Sequence, residues 1–540
     1  MALYAKLTLR SLTALKMASK CSFTLCKLRF LDHFCLVMKR NSSFAVASMD
    51  TAFPLISRGK TLLFGLGILA GCATATPPPK PPLPVTVPER WTAPVNQEDG
   101  SASGATAEDG APAQVTDGRS AETHGTADDA GIVWIAGFHD PDLEVLVEEA
   151  LGRNFDLRAA GARVEAARAR AGQQKAQALP HVTAGLSATR AREGTSGTIA
   201  NRFELEAQIS WEADLWRRLD HATSAAVAES QATQADYRGA RLALAANIAR
   251  AWFDVIEAGQ QLRLSDKSVA NFEKSLQTIE QQYQLGIGSA LDVRLARENL
   301  ATARGERQTR ALNRDTATRS LEILLGRYPA GAMVVPRGLP RLQRTVPVGL
   351  PSDLLRRRPD IIGADARLLA REHQLAVARA NRLPSVNLTA GGGTASGELR
   401  NLMDWDRLAW TLVGGLIQPI WKGGELSAQA RLAEADREQA WAEYISVVLR
   451  AFREVESTLT AEALLTGREA ALRVAEEEAT AAATLALDRY RHGLSDIVTL
   501  LSTQRREFAA KSALLAIVKQ RLHTRIDLHL ALGGGFSTGE

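Results

Sequence analysis

The chain has 540 residues, which is too long for one compact domain, and 45% of them are apolar, which is enough to build a core. Its formal net charge of +5 is small for this length and owes much to the basic amino terminus, and no basic stripe with interleaved aromatic residues follows, so nucleic-acid binding is not indicated. All four cysteines lie at or before Cys72, which excludes disulfides, thiolate metal sites and cysteine nucleophiles from the rest of the chain.

A signal peptide is predicted at residues 49–71. Arg58 and Lys60 precede a short apolar run that ends in Leu69-Ala70-Gly71-Cys72, an ending that resembles a bacterial lipobox. The run is too short to cross a bilayer as a helix, since a crossing needs roughly 20 apolar residues. In that class of signals the cysteine is acylated and becomes the first residue of the mature protein. We therefore expect a covalent lipid on Cys72 and no other cofactor.

The segments on either side of this signal show no pattern of regular structure. Residues 1–48 are interpreted as an over-extended start, because Met49 stands at a natural distance before the signal. Ala73 follows the lipid site in place of the Asp associated with inner-membrane retention, which favours the outer membrane. Residues 72–130 are rich in Pro, Gly and Ala and are predicted to form a disordered tether.

The body of the chain contains a tandem duplication. Three landmarks recur in the same order at offsets of 204, 205 and 207 residues: Leu179-Pro180 with Leu383-Pro384, Leu215-Trp216 with Ile420-Trp421, and Tyr283-Gln284-Leu285-Gly286 with Tyr490-Arg491-His492-Gly493. Such nearly constant spacing indicates two related units of about 200 residues. We assign the first repeat to residues 131–340 and the second to residues 341–536, followed by a tail at 537–540.

Each repeat is predicted to contain a helix, two strands and two very long helices. Apolar and polar residues alternate strictly from 202 to 212, which gives one apolar and one polar strand face. The other predicted strands cover residues 181–190, 386–392 and about 408–416. Helical patterning covers residues 222–285, 291–325, 426–491 and 498–532. Some 60 residues of helix reach about 90 Å, so these helices must pack side by side as a coiled coil, wall or tube.

The four amphipathic strands are too few to cross a membrane alone. A membrane barrel must close, because an open edge in lipid leaves backbone groups unpaired, and small barrels begin at about 8 strands. If these strands enter a membrane, several chains must therefore share one barrel, with Glu204, Glu206 and Gln208 facing water. The alternative that stays open at this point is an ordinary soluble hairpin packed on the helices.

An ordered series of motifs extends over residues 134–536 and includes Trp134. The segments are Phe138-His139-Asp140-Pro141-Asp142-Leu143, Asn154-Phe155-Asp156-Leu157, Trp211-Glu212-Ala213-Asp214-Leu215-Trp216, Tyr283-Gln284-Leu285-Gly286, Ala290-Leu291-Asp292-Val293, Leu324-Leu325-Gly326-Arg327-Tyr328-Pro329, Leu354-Leu355-Arg356-Arg357-Arg358-Pro359-Asp360-Ile361 and Ala531-Leu532-Gly533-Gly534-Gly535-Phe536. In this order they resemble the TolC-like outer-membrane efflux factors, specifically the NodT-type lipoprotein branch that serves resistance-nodulation-division (RND) pumps.

The resemblance implies a mostly α-helical chain that contributes four strands to a membrane β-barrel. In that family three chains form a homotrimer, whose twelve-stranded barrel stands on a coiled-coil α-helical tunnel. The implied protein is lipid-anchored in the bacterial outer membrane and extends into the periplasm. It conducts drugs or other small molecules passively, and its implied partners are outer-membrane lipid, a periplasmic adaptor (membrane fusion) protein and an inner-membrane RND pump.

The family resemblance also places a periplasmic gate at the turns between the long helices. These turns map to residues 286–289 and 493–496. Relatives often carry Asp where this chain has Ser502, so the charge is expected from Asp292 or Asp496 instead. Val498 is then an apolar constriction and Arg505 a tie between helices. The open alternative is that Asp292 only caps a helix and Arg505 is a solvated surface charge.

No enzyme motif was identified in the sequence. The nine histidines are scattered without a His-Glu-x-x-His pattern, and the glycines at 391–393 are not followed by the Lys-Ser/Thr of a phosphate-binding loop. The chain is therefore predicted not to be an enzyme. Two rival functions remain, a non-conducting coiled-coil lipoprotein that spans the periplasm and an exit duct for protein secretion. The alternating strands disfavour the first, and the lipobox with the Leu-Leu-Gly segment disfavours the second.

Overall fold

The computed structural model describes residues 132–534, apart from 193–196, 198, 335, 337, 343–345, 347–348 and 350, and upstream it describes residues 84, 87–88 and 90–93. The predicted over-extended start, the signal peptide and the lipid site at Cys72 lie outside the described residues. Most of the predicted tether and the tail at 537–540 lie outside them as well.

The first half of the described chain runs from a 3-10 helix to a long helical hairpin. The 3-10 helix covers Val133–Phe138, and the following elements are α1 (Pro141–Arg153), α2 (Phe155–Ala176), β1 (His181–Arg192), β2 (Ile199–Ala213), α3 (Arg218–Gln284) and α4 (Ala290–Leu324).

The second half repeats this plan. Its elements are a 3-10 turn (Pro351–Asp353), α5 (Leu354–Arg357), α6 (Pro359–Ala380), β3 (Ser385–Ser396), two 3-10 turns (Leu399–Asn401 and Trp405–Arg407), β4 (Ala409–Ile417), α7 (Glu425–Arg491) and α8 (Ile497–Ala531). Corresponding helices have equal lengths: 22 residues for α2 and α6, 67 for α3 and α7, and 35 for α4 and α8. The predicted order of one helix, two strands and two long helices is therefore present twice.

The four strands form one antiparallel sheet in the order β1-β2-β3-β4. Each strand pairs with its neighbour in sequence, and the β2–β3 pair joins the two halves, with Ala207 opposite Gly392. β3 extends further than predicted, to Ser396. Its glycines mask the apolar alternation from which a strand is predicted, but the pairing with β2 satisfies their backbone groups.

The long helices pack around the middle of α3. That helix contacts α1, α2, α4, α6 and α8, while α7 contacts α6 and α8. The main core includes Trp252 and Phe253 of α3, both almost fully buried. The Trp252 indole donates to Asp140 Oδ2 at 2.8 Å, and Oδ1 of the same carboxylate accepts from the Leu143 amide at 3.2 Å to cap α1. One carboxylate thus caps a short helix and satisfies a buried indole.

In each half, one side chain at the start of the short helix hydrogen-bonds to the end of the last long helix. Asn154 caps α2 and donates from Nδ2 to the carbonyl of Leu324, at the end of α4, at 2.9 Å. Arg358, which immediately precedes α6, donates from Nη1 to the carbonyl of Ala531, at the end of α8, at 3.0 Å. Each bond meets a terminal helix carbonyl that has no partner within its own helix. The duplication therefore preserves the contact although the residue type differs.

The predicted tether is not free of packing. Trp91 donates from its indole to the carbonyl of Gly349 at 3.1 Å, and its ring lies 6.3 Å from that of Phe452. Ala93 is buried in a small core with α7 and α8. The prediction that residues 72–130 are disordered throughout was therefore wrong at residues 91–93. Amino-acid composition is a property of the whole segment, so it cannot predict that three of its residues pack against the helices.

A buried histidine near the end of α8 makes the core sensitive to pH. The His529 ring stacks on Trp134 with centroids 5.2 Å apart. Burial, with a smaller contribution from the charge of Arg525, lowers the pKa of His529 to about 4. The unfolded chain therefore binds this proton more readily than the folded chain between about pH 6.5 and 4, so stability falls as the pH falls through that window.

We expect His529→Phe to reduce this loss, because phenylalanine keeps the stacked ring and has no proton to bind. Between pH 7 and pH 4 the wild-type protein should lose about 2–3 kcal/mol more unfolding free energy than the variant does. Thermal unfolding of the detergent-solubilised proteins across this range measures the difference. The exposed His492→Gln is the matched control and should follow the wild type. Parallel pH profiles for His529→Phe and wild type would contradict the assignment.

Candidate functional site

The sheet has one apolar and one polar face. Cross-strand partners share a face, and the register places the apolar residues of all four strands opposite one another. The apolar face carries Val182, Ala184, Leu186, Phe203, Leu205, Ile209, Trp211, Leu388, Trp410, Leu412 and Leu416. The polar face carries Thr183, Ser187, Glu204, Glu206, Gln208, Ser210, Glu212 and Asn387. Most of the large residues on the apolar face are exposed, Val182, Leu186 and Leu412 among them.

Both outer strands of the sheet have an unpaired edge within the described chain. β1 pairs only with β2, and β4 pairs only with β3. β1 is 12 residues long and β4 is 9 residues long. No described helix packs extensively against either strand. Long, apolar, unpaired edges are what another strand pairs with. Both edges are therefore available for pairing with further strands.

Tryptophans mark both ends of the apolar face. Trp410 lies near the beginning of β4, at the end of the sheet away from the long helices, and is exposed. Trp211 lies near the end of β2, and Trp421 follows β4 shortly before α7 begins. Such pairs of aromatic positions are typical of the two interfaces of a membrane.

The two 67-residue helices differ in how much of their surface the chain itself buries. Twenty-three residues of α3 are buried, but only nine of α7 are. The outer surface of α7 exposes the large apolar residues Leu432, Leu449, Leu464, Val474 and Leu485. No side chain in the described part of the protein covers these residues, and exposed apolar residues along such a length of helix are typical of an interaction surface.

The turns at the far ends of the two helical hairpins are built alike. α3 and α7 end before Gly286 and Gly493, whose positive φ angles of 75° and 72° favour glycine. Ser289 and Asp292 form a reciprocal capping box at the start of α4, with both hydrogen bonds 3.2 Å long. Asp496 caps α8 by accepting from the Thr499 amide at 2.6 Å and from its hydroxyl at 3.1 Å. The bond from the Thr499 amide is the largest cause that lowers the pKa of Asp496.

The predicted gate residues all lie at these hairpin ends, but not in one cluster. Asp292 is the N3 residue of the capping box that Ser289 opens, and Asp496 is the N-cap of α8; a role for either in a gate stays a prediction. Val498 is 59% exposed, and the Ser502 hydroxyl donates to the carbonyl of Thr499 within its own helix at 3.0 Å. Arg505 is exposed, and no hydrogen bond from it to another described residue links two helices.

The cross-links between the two hairpins are made by other residues. Tyr490 of α7 donates from its hydroxyl to Gln282 Oε1 of α3 at 2.7 Å. Deeper in, the Gln504 amide of α8 donates to the Ser275 hydroxyl of α3 at 3.2 Å, and both side chains are buried. The sequence analysis predicted neither of these two contacts. The recurrence of Tyr at 283 and 490 was visible, but only one of the two tyrosines reaches across.

The described residues contain no helix that is long and apolar enough to cross a membrane. In the same part of the chain, no group of three or more His, Cys, Asp or Glu residues is placed to hold a metal ion.

Comparison with known proteins identifies the fold and its relatives. Residues 146–327 and 350–534 match the family described as outer membrane efflux protein, once for each half. The chain is 33% identical over 432 residues to outer membrane protein OprJ of Pseudomonas aeruginosa, covering 78% of this chain and 90% of that protein. It is 33% identical over 417 residues to the toluene efflux pump outer membrane protein TtgF of Pseudomonas putida, covering 76% of this chain and 86% of that protein.

A solved structure has the same fold. The outer-membrane channel OprN superimposes with a TM-score of 0.71 at 30% sequence identity, and the match covers 75% of this chain and 93% of that one.

Proposed function

The chain belongs to the outer membrane efflux protein family, and from this premise we propose that three copies close a single twelve-stranded barrel on a shared helical tunnel. Members of the family are channels and not enzymes, and this chain is the outer-membrane component of an efflux pump. Family membership excludes the non-conducting spacer. The observation that carries the closed trimer is the pair of unpaired edges on an amphipathic four-stranded sheet.

Closure explains three exposed features at once. Pairing β4 of one chain with β1 of the next leaves no edge in the lipid. The apolar face then contacts the acyl chains between the tryptophan levels, and Glu204, Glu206 and Gln208 line the water-filled interior. The unpaired row on α7 packs against the helices of a neighbouring chain. Each feature is unfavourable in an isolated chain and favourable in the closed assembly.

The proposed partners are the other components of an efflux pump. A passive duct has no energy source, so we propose that a periplasmic adaptor and an inner-membrane RND pump deliver the cargo. Relatives are named for the efflux of toluene and of other solvents, and we propose small molecules as the cargo here, in preference to secreted proteins. We propose that the pump selects the cargo and that the polar strand face offers it only a water-lined wall.

We further propose that a lipid on Cys72 anchors the trimer and that the gate lies at the two hairpin ends. The matching construction of the two turns supports this position, and the ends are joined by a small buried apolar core and by the hydrogen bond from Tyr490 to Gln282. In an assembled trimer, Asp496 and Val498 approach their copies in neighbouring chains. They would supply the charge and the apolar constriction that Ser502 does not.

The native mass of the detergent-solubilised mature protein tests the closed trimer. We expect three chains per particle without crosslinker, and we expect the same protein to restore drug resistance to a strain that lacks its own outer-membrane duct. A stable, folded monomer would contradict the proposal, because four strands cannot close in a membrane.

A further inference from the structure

The connection between β3 and β4 folds over the apolar face of the sheet. Residues 397–408 contain two 3-10 turns, and between these turns the carbonyl of Leu402 accepts a hydrogen bond from the Thr394 hydroxyl at 2.5 Å. Thr394 is paired with Leu205, so its side chain lies on the apolar face. Leu402 is buried although it belongs to a connection between strands. We call residues 397–408 the overhang.

Polar side chains of the overhang hold it in one shape. Asp404 accepts hydrogen bonds from the Asp406 amide and from Arg407 Nε, both at 3.2 Å. The Glu398 amide donates to the hydroxyl of Ser396, the last residue of β3, at 3.2 Å. Local bonds of this kind, from side chains to nearby backbone groups, stabilise tight turns. The apolar side chains of the overhang are thereby held near the sheet.

A cavity of about 770 Å³ lies between the overhang and the apolar face, within the size range of small-molecule sites. The sheet is low at this place because small residues of three strands stand side by side. Ala184 pairs with Ala207, and Ala207 pairs with Gly392, which pairs in turn with Trp410. The lining is almost wholly apolar, and the overhang contributes Leu402, Met403, Trp405 and Leu408 to it.

The position of the cavity indicates what fills it. The cavity opens on the apolar face, which in the proposed barrel contacts the membrane, and it lies at the end of the sheet away from the long helices. Because the helices extend into the periplasm, that end of the sheet lies in the outer leaflet. Met403 and Trp405 are 74% and 76% exposed. Such exposure of large apolar side chains is unfavourable in water and favourable against hydrocarbon.

We propose that the overhang and the apolar face hold one acyl chain of an outer-leaflet lipid in this cavity. The inference takes from the proposed function only that the apolar face contacts the membrane. It goes beyond that contact, since a smooth barrel surface retains no particular lipid. An acyl chain fits a cavity that is apolar and open to the membrane on one side, because the rest of the lipid stays in the leaflet. The bound lipid in turn covers Met403 and Trp405.

The lipid that stays with the purified protein tests this site. The protein is extracted from outer membranes in a mild detergent, and native mass spectrometry counts the chains in each particle and the lipids bound to them. We expect wild type to retain about one lipid per chain. Ala184→Phe places a large ring in the cavity and should lower the retained lipid about tenfold, the effect of losing about 60 Å² of apolar contact.

Ala188→Phe is the matched control, because Ala188 lies on the same strand and face but outside the cavity. This variant should retain as much lipid as wild type. The overhang provides a second pair of variants that leaves the strands unchanged. The double variant Met403→Ala and Trp405→Ala should lose the lipid. Leu399→Ala changes an exposed residue of the overhang outside the cavity and should keep it.

The outcomes separate the lipid site from the proposed trimer. Wild type that carries only detergent, or a small molecule that is not a lipid, overturns the lipid site whatever the number of chains. Equal retention in Ala184→Phe and Ala188→Phe overturns the placement of the acyl chain in this cavity. If Ala184→Phe does not assemble, full retention in the double variant of the overhang has the same meaning. Lipid retained by single chains would contradict the trimer and leave the lipid site intact.

Discussion

Gly393→Ala is expected to remove most of the assembled channel from the outer membrane. A β-carbon at this position would lie 2.2 Å from the carbonyl oxygen of Leu205 and 2.8 Å from the Cα of Glu206. Both are backbone atoms of β2, so they cannot move aside without opening the β2–β3 pairing that joins the two halves. Overpacking typically costs about 1–3 kcal/mol, and the proposed trimer carries the penalty three times.

Gly391→Ala is the matched control for this prediction. It lies two residues away on the same strand and face, and its β-carbon would meet only ordinary contacts, the nearest at 3.5 Å from the Thr411 hydroxyl. Trimer recovered from outer membranes and drug susceptibility of the complemented strain measure both variants. Normal trimer levels for Gly393→Ala would show that β2 and β3 do not pair in this register.

Arg358→Met is expected to destabilise the folded chain by about 3 kcal/mol, the lower end of the range for breaking a buried ion pair. The guanidinium is buried and donates to Asp360 at 2.7 Å, to Glu454 at 2.8 Å and to the carbonyl of Ala531 at 3.0 Å. We take the lower end because both carboxylates are partly exposed and regain water. Arg358→Lys should be nearly as harmful, because one ammonium cannot reproduce the planar fork.

The controls for Arg358 come from its neighbour and from the other half. Arg356→Met removes an exposed arginine of α5, the short helix that ends just before Arg358, and should have little effect. Asn154→Ala removes the corresponding tie and a helix cap, for which we expect a loss of about 1–2 kcal/mol. Thermal and denaturant unfolding in detergent measure all three. If Arg358→Met were no worse than Arg356→Met, the contact with Ala531 would not be structural.

Helices and strands were largely predictable from sequence because their signals are local. Prolines near residues 180 and 384 end the short helices, glycines at 286 and 493 end the long ones, and strict alternation identifies β2. The duplication could be predicted because it repeats these local signals. The chemistry of each hairpin end was harder, since Asp292 reads equally well as a cap or as a pore charge until its partner Ser289 is known.

Contacts between distant segments could not be predicted in this way. Arg358 and Asn154 show their shared role only when both helix ends that they contact are placed. The need for glycine at 393 arises from a strand nearly 190 residues earlier. Trp91 packs against Phe452 of α7, which lies more than 350 residues later in the sequence. No periodic pattern in the tether predicts this contact.

If the chains assemble as proposed, the exposed apolar flank of α7 makes the stability of the protein depend on its concentration. In the proposed trimer, α7 gains burial from neighbouring chains that an isolated chain lacks, so the folded state would be linked to association by mass action. The unfolding midpoint should therefore rise as the solution is made more concentrated, with no change in any contact within a chain. In the cell, the rate of synthesis would then help to decide whether newly exported chains find one another before proteases find them.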